Sequence, residues 1–394
     1  VVSVSQPAAV LAADPLHDVD RYHAEFVAWL TTNPDVLAEV AEPSTAQRDR
    51  IAAMRRLMAR LFEAGWSRYG WPPHVGGLGG TIGHRATMWA ALAQHGLTGM
   101  EMFEHLEVLA PTLVELGPAE FVAEALPAYL AGDQLWAQGF SEPDAGSDLA
   151  ALRTVARPTA DGYLISGRKI WTSWAPWARW CLVLARTGTA ASRHRGVTAF
   201  IVDLHHPGVE VRALPQANGN AELAEVSFDE VPVSAERIVG DLDGGWAVAM
   251  HILSHERGTF AWFRHCLLYP LIGRSLGELA ERGEDGQIGG HDRALGDALL
   301  DLASVNAAAH AALESHAAGT PLGPRATVTK LLLCAAERSV NDWMLATRPE
   351  LAFAAGDPAT LHRQEYLFSR IVTVYGGSQQ MQLETIAKQI LELP

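Results

Sequence analysis

The stretch Phe140-Ser-Glu-Pro-Asp-Ala-Gly-Ser-Asp148, answered further on by Gly167-Arg-Lys-Ile-Trp-Thr-Ser173, decides how this chain is read. Each segment sets turn residues against strand-like sequence. Pro, Asp and Gly reverse the backbone, while aromatic and β-branched neighbours favour extended structure. Together they offer hydroxyls, backbone amides and an indole to a planar ligand with polar edges.

Outward from these segments, period-two alternation runs from Trp136 to Val239. Gly162-Tyr-Leu-Ile-Ser-Gly, Trp180-Cys-Leu-Val-Leu-Ala, Val197-Thr-Ala-Phe-Ile-Val and Ala224-Glu-Val-Ser-Phe predict short strands of a small β domain. On the N-terminal side, Phe26–Leu30, Ile51–Leu61 and Met88–Leu97 carry apolar residues at three-to-four spacing and predict helices. Pro72-Pro-His-Val-Gly-Gly-Leu-Gly-Gly80 interrupts them, because two prolines and four glycines in nine residues cannot continue a helix. After Asp241-Leu-Asp-Gly-Gly-Trp246, the runs Ala247–His265, Leu295–Ala318 and Thr327–Ala346 are long enough for bundle helices, and Gly283–Gly290 predicts a flexible connection. The expectation is an α+β multidomain chain. It has a helical domain over 1–134, a β-barrel or sandwich domain over 135–242 and a four-helix bundle over 243–394.

A chain of 394 residues, 48% hydrophobic, can bury substantial cores in two or three domains. Its net charge of -15 argues against nucleic acid and against an anionic membrane surface, since either needs clustered basic residues. No run of eighteen apolar residues occurs and the first residues lack a charged leader pattern, so a cytoplasmic location is expected. Cys181, Cys266 and Cys334 are far apart and read as thiols rather than a disulfide framework, and no spacing of the 16 histidines suggests a metal site. Three of the 30 basic residues are lysine, leaving 27 arginines.

The two opening segments resemble the flavin-contacting signature of the acyl-CoA dehydrogenase family, and a third, Tyr375-Gly-Gly-Ser-Gln-Gln-Met-Gln382, resembles the loop that opens the family's last helix. The resemblance extends over nearly the whole chain. It implies FAD held between the last two domains and across a subunit interface, with Phe140, Ser141, Ser147, Trp171, Thr172, Ser173, Gly377, Ser378 and Gln380 at cofactor-contacting positions. Serine stands at 141 and 173 where threonine is commoner, which keeps the hydroxyl. The family's Arg-x-x-Phe-Gly pyrophosphate motif is not recognisable between Arg264 and Asp301.

Acyl-CoA oxidation needs one placed carboxylate to take the α proton while the β hydrogen leaves as hydride to flavin. Several family members carry that glutamate directly after the loop tyrosine, where this chain has Gly376. Leu253-Ser-His-Glu-Arg257 matches the family's second location, so Glu256 is the expected base, and the Gly376 N–H the expected donor to the thioester carbonyl. Arg257 and Tyr375 are expected substrate contacts. His255, Phe260, Trp262 and Phe263 are read as packing residues.

The resemblance thus implies FAD-dependent α,β-dehydrogenation of an acyl-CoA thioester to a trans-2-enoyl-CoA. Electron-transfer flavoprotein is the implied acceptor, and the assembly a homotetramer or a heterotetramer with a related chain. A half-catalytic or non-catalytic subunit, a flavin oxidase or monooxygenase, and an acyl-carrier-protein dehydrogenase are the competing readings of this fold.

Overall fold

The structure is a computed structural model and describes residues 15–99, 101–281, 291–320 and 322–394. The expected connection at 283–290 lies outside the described residues. Before the β region, the longer helices are α1 (Val19–Thr32), α2 (Gln47–Glu63), α3 (Ile82–Gln94), α4 (Glu104–Leu116) and α5 (Ala119–Leu130). After it come α6 (Gly245–Arg257), α7 (Thr259–Glu281), α8 (Asp292–Ala317), α9 (Ala326–Thr347), α10 (Asp357–Ile371) and α11 (Gln379–Gln389). The single helix expected over Ala247–His265 is two: the chain breaks at Gly258, directly after Glu256 and Arg257. Glycine is among the least favourable residues inside a helix, and the apolar pattern on both sides had hidden it.

The chain forms two compact units. One takes the described residues up to Pro73, with Gly77–Glu101 and Glu256–Pro394. Here N-terminal and C-terminal helices share a core: α3 packs on α1 from one side and on α7 and α8 from the other, while α9 packs on α7, α8, α10 and α11. Ile82 and Ala86 of α3 meet Leu313 of α8 and Trp262 of α7, whose indole N–H donates to the Ala86 carbonyl at 3.1 Å. Phe260 and Phe263 are buried beside them, as packing residues should be. An aromatic group of Tyr22, Phe26, Trp29, Trp66, Tyr69 and His84 closes the α1 end.

The other unit takes His74–Gly76 and Met102–His255, so it holds α4, α5 and the whole β region. Its strands are β1 (Trp136–Gly139), β2 (Val155–Pro158), β3 (Gly162–Ser173), β4 (Trp180–Arg186), β5 (Val197–Asp203), β6 (Val209–Leu214), β7 (Leu223–Ser234) and β8 (Ile238–Val239). They run in the order β6-β7-β3-β2-β4-β5-β8, with β1 parallel to β4. Ile165, Val183, Phe200, Val202, Val226 and Phe228 fill its core from alternate positions, which is why period two was legible there. Cys181, Cys266 and Cys334 are buried free thiols. No helix among the described residues is long and apolar enough to cross a membrane.

Candidate active site

The 140–173 segments come together in the β unit. Glu142 N–H donates to the Ala145 carbonyl and Ala145 N–H to the Glu142 carbonyl, each at 3.0 Å, closing a tight turn. The Ile170 N–H donates to the Ser141 carbonyl at 2.9 Å, so this turn lies against β3. Phe140 is buried, Ser141 half-buried and Ser147 exposed. The β3–β7 ladder is irregular between Lys169 and Thr172, and there Trp171 adopts φ +61 with its indole side 59% exposed. A left-handed backbone at a non-glycine residue costs about 1–3 kcal/mol and collects at binding sites. Thr172 Oγ1 is buried without a hydrogen-bond partner. Ser173 is half-buried and pairs with Leu223. An exposed indole in a strained backbone, beside a buried hydroxyl lacking a partner, fits the ring and polar edge of a flavin.

The helical unit holds the other set. Glu256, in the last turn of α6, sets its carboxylate against Gly376: a Cβ added there would lie 2.8 Å from Glu256 Oε1. Gly376 and Gly377 have φ +65 and +92, which glycine adopts freely. Arg257 Nε donates to the Gly376 carbonyl at 3.0 Å, and Gln382 Nε2 donates to the Gly376 and Gly377 carbonyls at 3.1 and 2.8 Å. The loop is therefore clamped from two sides. Tyr375 is held between Phe260 and Phe368, with Lys330 Nζ 3.5 Å from its ring centroid. Burial lowers the Lys330 ammonium to about 8 against the opposing pull of Cys334 and Glu256. Burial likewise lowers Arg257, with Glu256 opposing. Beneath the loop, Arg264 bridges Glu337 at 2.5 Å and Glu365 at 2.6 Å.

Ser378 caps α11, accepting from the Met381 N–H at 3.3 Å, and Gln380 is exposed. Gln382, which the sequence reading passed over, is the glutamine that turns inward. Its position three residues past Met381's capping partner, in the first turns of a helix opened by Gly-Gly, was the available signal. For Lys330 the signal was its rarity among 27 arginines. His255 is buried, in keeping with a packing role.

Residues 27–133, 137–231 and 243–391 match the N-terminal, middle and C-terminal domains of acyl-CoA dehydrogenase, respectively. The chain is 33% identical over 385 residues to acyl-CoA dehydrogenase IpdE1 of Mycobacterium tuberculosis, covering 96% of this chain and 99% of that one. It is 34% identical over 298 residues to acyl-CoA dehydrogenase FadE34 of the same organism, covering 72% of this chain and 39% of that one. Its fold is similar to the solved Tcur3481-Tcur3483 steroid ACAD, with a TM-score of 0.79 over 100% of both chains at 24% identity. The chain belongs to the acyl-CoA dehydrogenase family of oxidoreductases, whose members generally depend on FAD.

Proposed function

We propose that this chain binds FAD and is the catalytic subunit that oxidises an acyl-CoA thioester at its α,β bond, with Glu256 as the base. The observation that carries this is the Glu256 carboxylate set against Gly376 in a loop clamped by Arg257 and Gln382. FAD, when bound, supplies the acceptor for the β hydrogen and its electron pair. Phe140, Ser141, Ser147, Trp171, Thr172, Ser173, Gly377, Ser378 and Gln380 are the residues that would hold it. Glu256 takes the α proton, and the cationic Arg257 and Lys330 nearby favour its ionised form. The Gly376 N–H donates to the thioester carbonyl, where negative charge grows as that proton leaves. Tyr375 and Arg257 border the substrate.

The names of the relatives favour a bulky, steroid-derived acyl group. Electron-transfer flavoprotein is the proposed acceptor, and the proposed assembly is a tetramer of this chain, alone or with a related one. The test is anaerobic bleaching of the flavin by a panel of acyl-CoA thioesters. Wild type is expected to bleach, and Glu256→Gln to keep flavin while slowing bleaching by about 10²–10⁴-fold, the usual weight of one acid–base group. Equal bleaching by the variant would remove Glu256 from the role, and a wild type that takes up no flavin would remove the FAD reading.

A further inference from the structure

Lysine is rare here, and its three places are uneven. Lys388 lies on the surface in an i,i+4 pair with Glu384. Lys169, by contrast, is 0% exposed in the middle of β3. Burying an ammonium is expensive unless it is both paired and hydrogen-bonded. Lys169 meets that condition: Nζ donates to the Phe140 carbonyl at 3.0 Å and to Glu142 Oε1 at 2.8 Å. Glu142 is also buried, and its carboxylate accepts the Arg153 N–H at 2.6 Å and the Thr154 N–H at 2.8 Å. Burial pushes the Glu142 carboxyl up, but Lys169 and the two amides outweigh it and hold the group below the usual carboxylate range. Burial lowers Lys169 to about 8, with Glu142 opposing.

The pair spans the two segments quoted at the outset. Glu142 follows Ser141, and Lys169 stands at the edge of the ladder irregularity that turns Trp171 outward. With the Ile170–Ser141 backbone bond it fastens the turn to β3 at adjacent points. The space is shaped for a straight stem: a Cβ on Gly139 would lie 3.4 Å from Lys169 Cγ and 3.1 Å from Cys181 Sγ. An arginine fork is wider and planar, which explains a lysine in a chain that otherwise uses arginine.

We propose that Lys169 and Glu142 are positioning residues of the cofactor site, their buried ion pair holding Ser141 and Trp171 in the arrangement that receives the flavin. The proposal rests on the FAD reading above. It is tested on the full chain, stripped of flavin, by titrating FAD and following quenching of its fluorescence, then recording the visible circular dichroism of the bound flavin. Lys169→Met is expected to bind FAD at least about tenfold more weakly, with altered flavin dichroism. Because that variant leaves Glu142 buried and unpaired, the double variant Glu142→Gln/Lys169→Met, which buries no net charge, is expected to fold and show the same loss. Val202→Ala, in the sheet core, is the control for simple loss of stability and is expected to keep wild-type affinity and dichroism. Wild-type affinity in the double variant, or an equal loss in Val202→Ala, would overturn the positioning role alone. A wild type that binds no FAD would overturn the cofactor reading and this proposal with it.

Discussion

Glu256 and Gly376 occupy each other's space: the carboxylate of one stands 2.8 Å from where a side chain on the other would begin. The missing side chain at 376 is therefore the room in which Glu256 sits. The clamp of Arg257 and Gln382 on the Gly376 carbonyl fixes that relationship, because the backbone there cannot shift without breaking both bonds.

Gly376→Ala combines a Cβ clash with a left-handed φ of +65. Glu256 must move to accept it, and displacement of a catalytic group by about 1 Å can lower rates about 10²-fold. Steady-state kinetics are expected to show a fall of that order in kcat, with thermal unfolding showing a native fold. An unchanged kcat would mean that Glu256 is not placed by this loop.

Thr172→Val removes a hydroxyl that has no partner within the protein while keeping its shape. Unfolding of the flavin-free variant is expected to match or exceed wild type in stability, since a buried unsatisfied group is unfavourable. Affinity for FAD is expected to fall by roughly the worth of one hydrogen bond, about 1 kcal/mol or fivefold. Fluorescence titration would detect it.

Arg264→Met strands Glu337, which is 0% exposed, and leaves Glu365 without its bridge. Removing one member of a buried charge network typically costs about 3–5 kcal/mol. Urea denaturation of the helical unit should report it, whereas replacement of the exposed Arg21 of its i,i+4 pair with Glu25 should fall within about 0.5 kcal/mol of wild type.

Lys330 gives stability a pH dependence whose sign is set by its burial. Its pKa is about 8 in the folded chain, below the ordinary lysine value, so the unfolded chain binds more protons between the two. Stability from this residue is fully present above the unfolded pKa and is lost as pH falls through about 8. Lys330→Met lacks that dependence, so its stability relative to wild type is expected to be greatest near pH 7 and to shrink towards pH 10. Denaturant midpoints for both proteins at several pH values would check this, and parallel curves would refute it.

The strand pattern of 162–228 and the helical pattern of 26–61 were legible because burial there alternates with the local repeat. The break at Gly258 was not, since the residues around it are apolar enough for one continuous helix. Gln382 and Lys330 escaped for another reason: their side chains act on Gly376, Gly377 and Tyr375 in a loop that has no backbone periodicity to reveal its partners.

By itself the sequence determined the order of helical and β segments and the three motifs, because propensity and period are properties of neighbouring residues. Only the tertiary structure placed α3 on α7 and α8, seated Glu256 against Gly376, and joined Lys169 to Glu142. Those contacts link residues far apart along the chain. They form only when the packing of whole elements repays the entropy of closing the loops between them, and no local pattern records that balance.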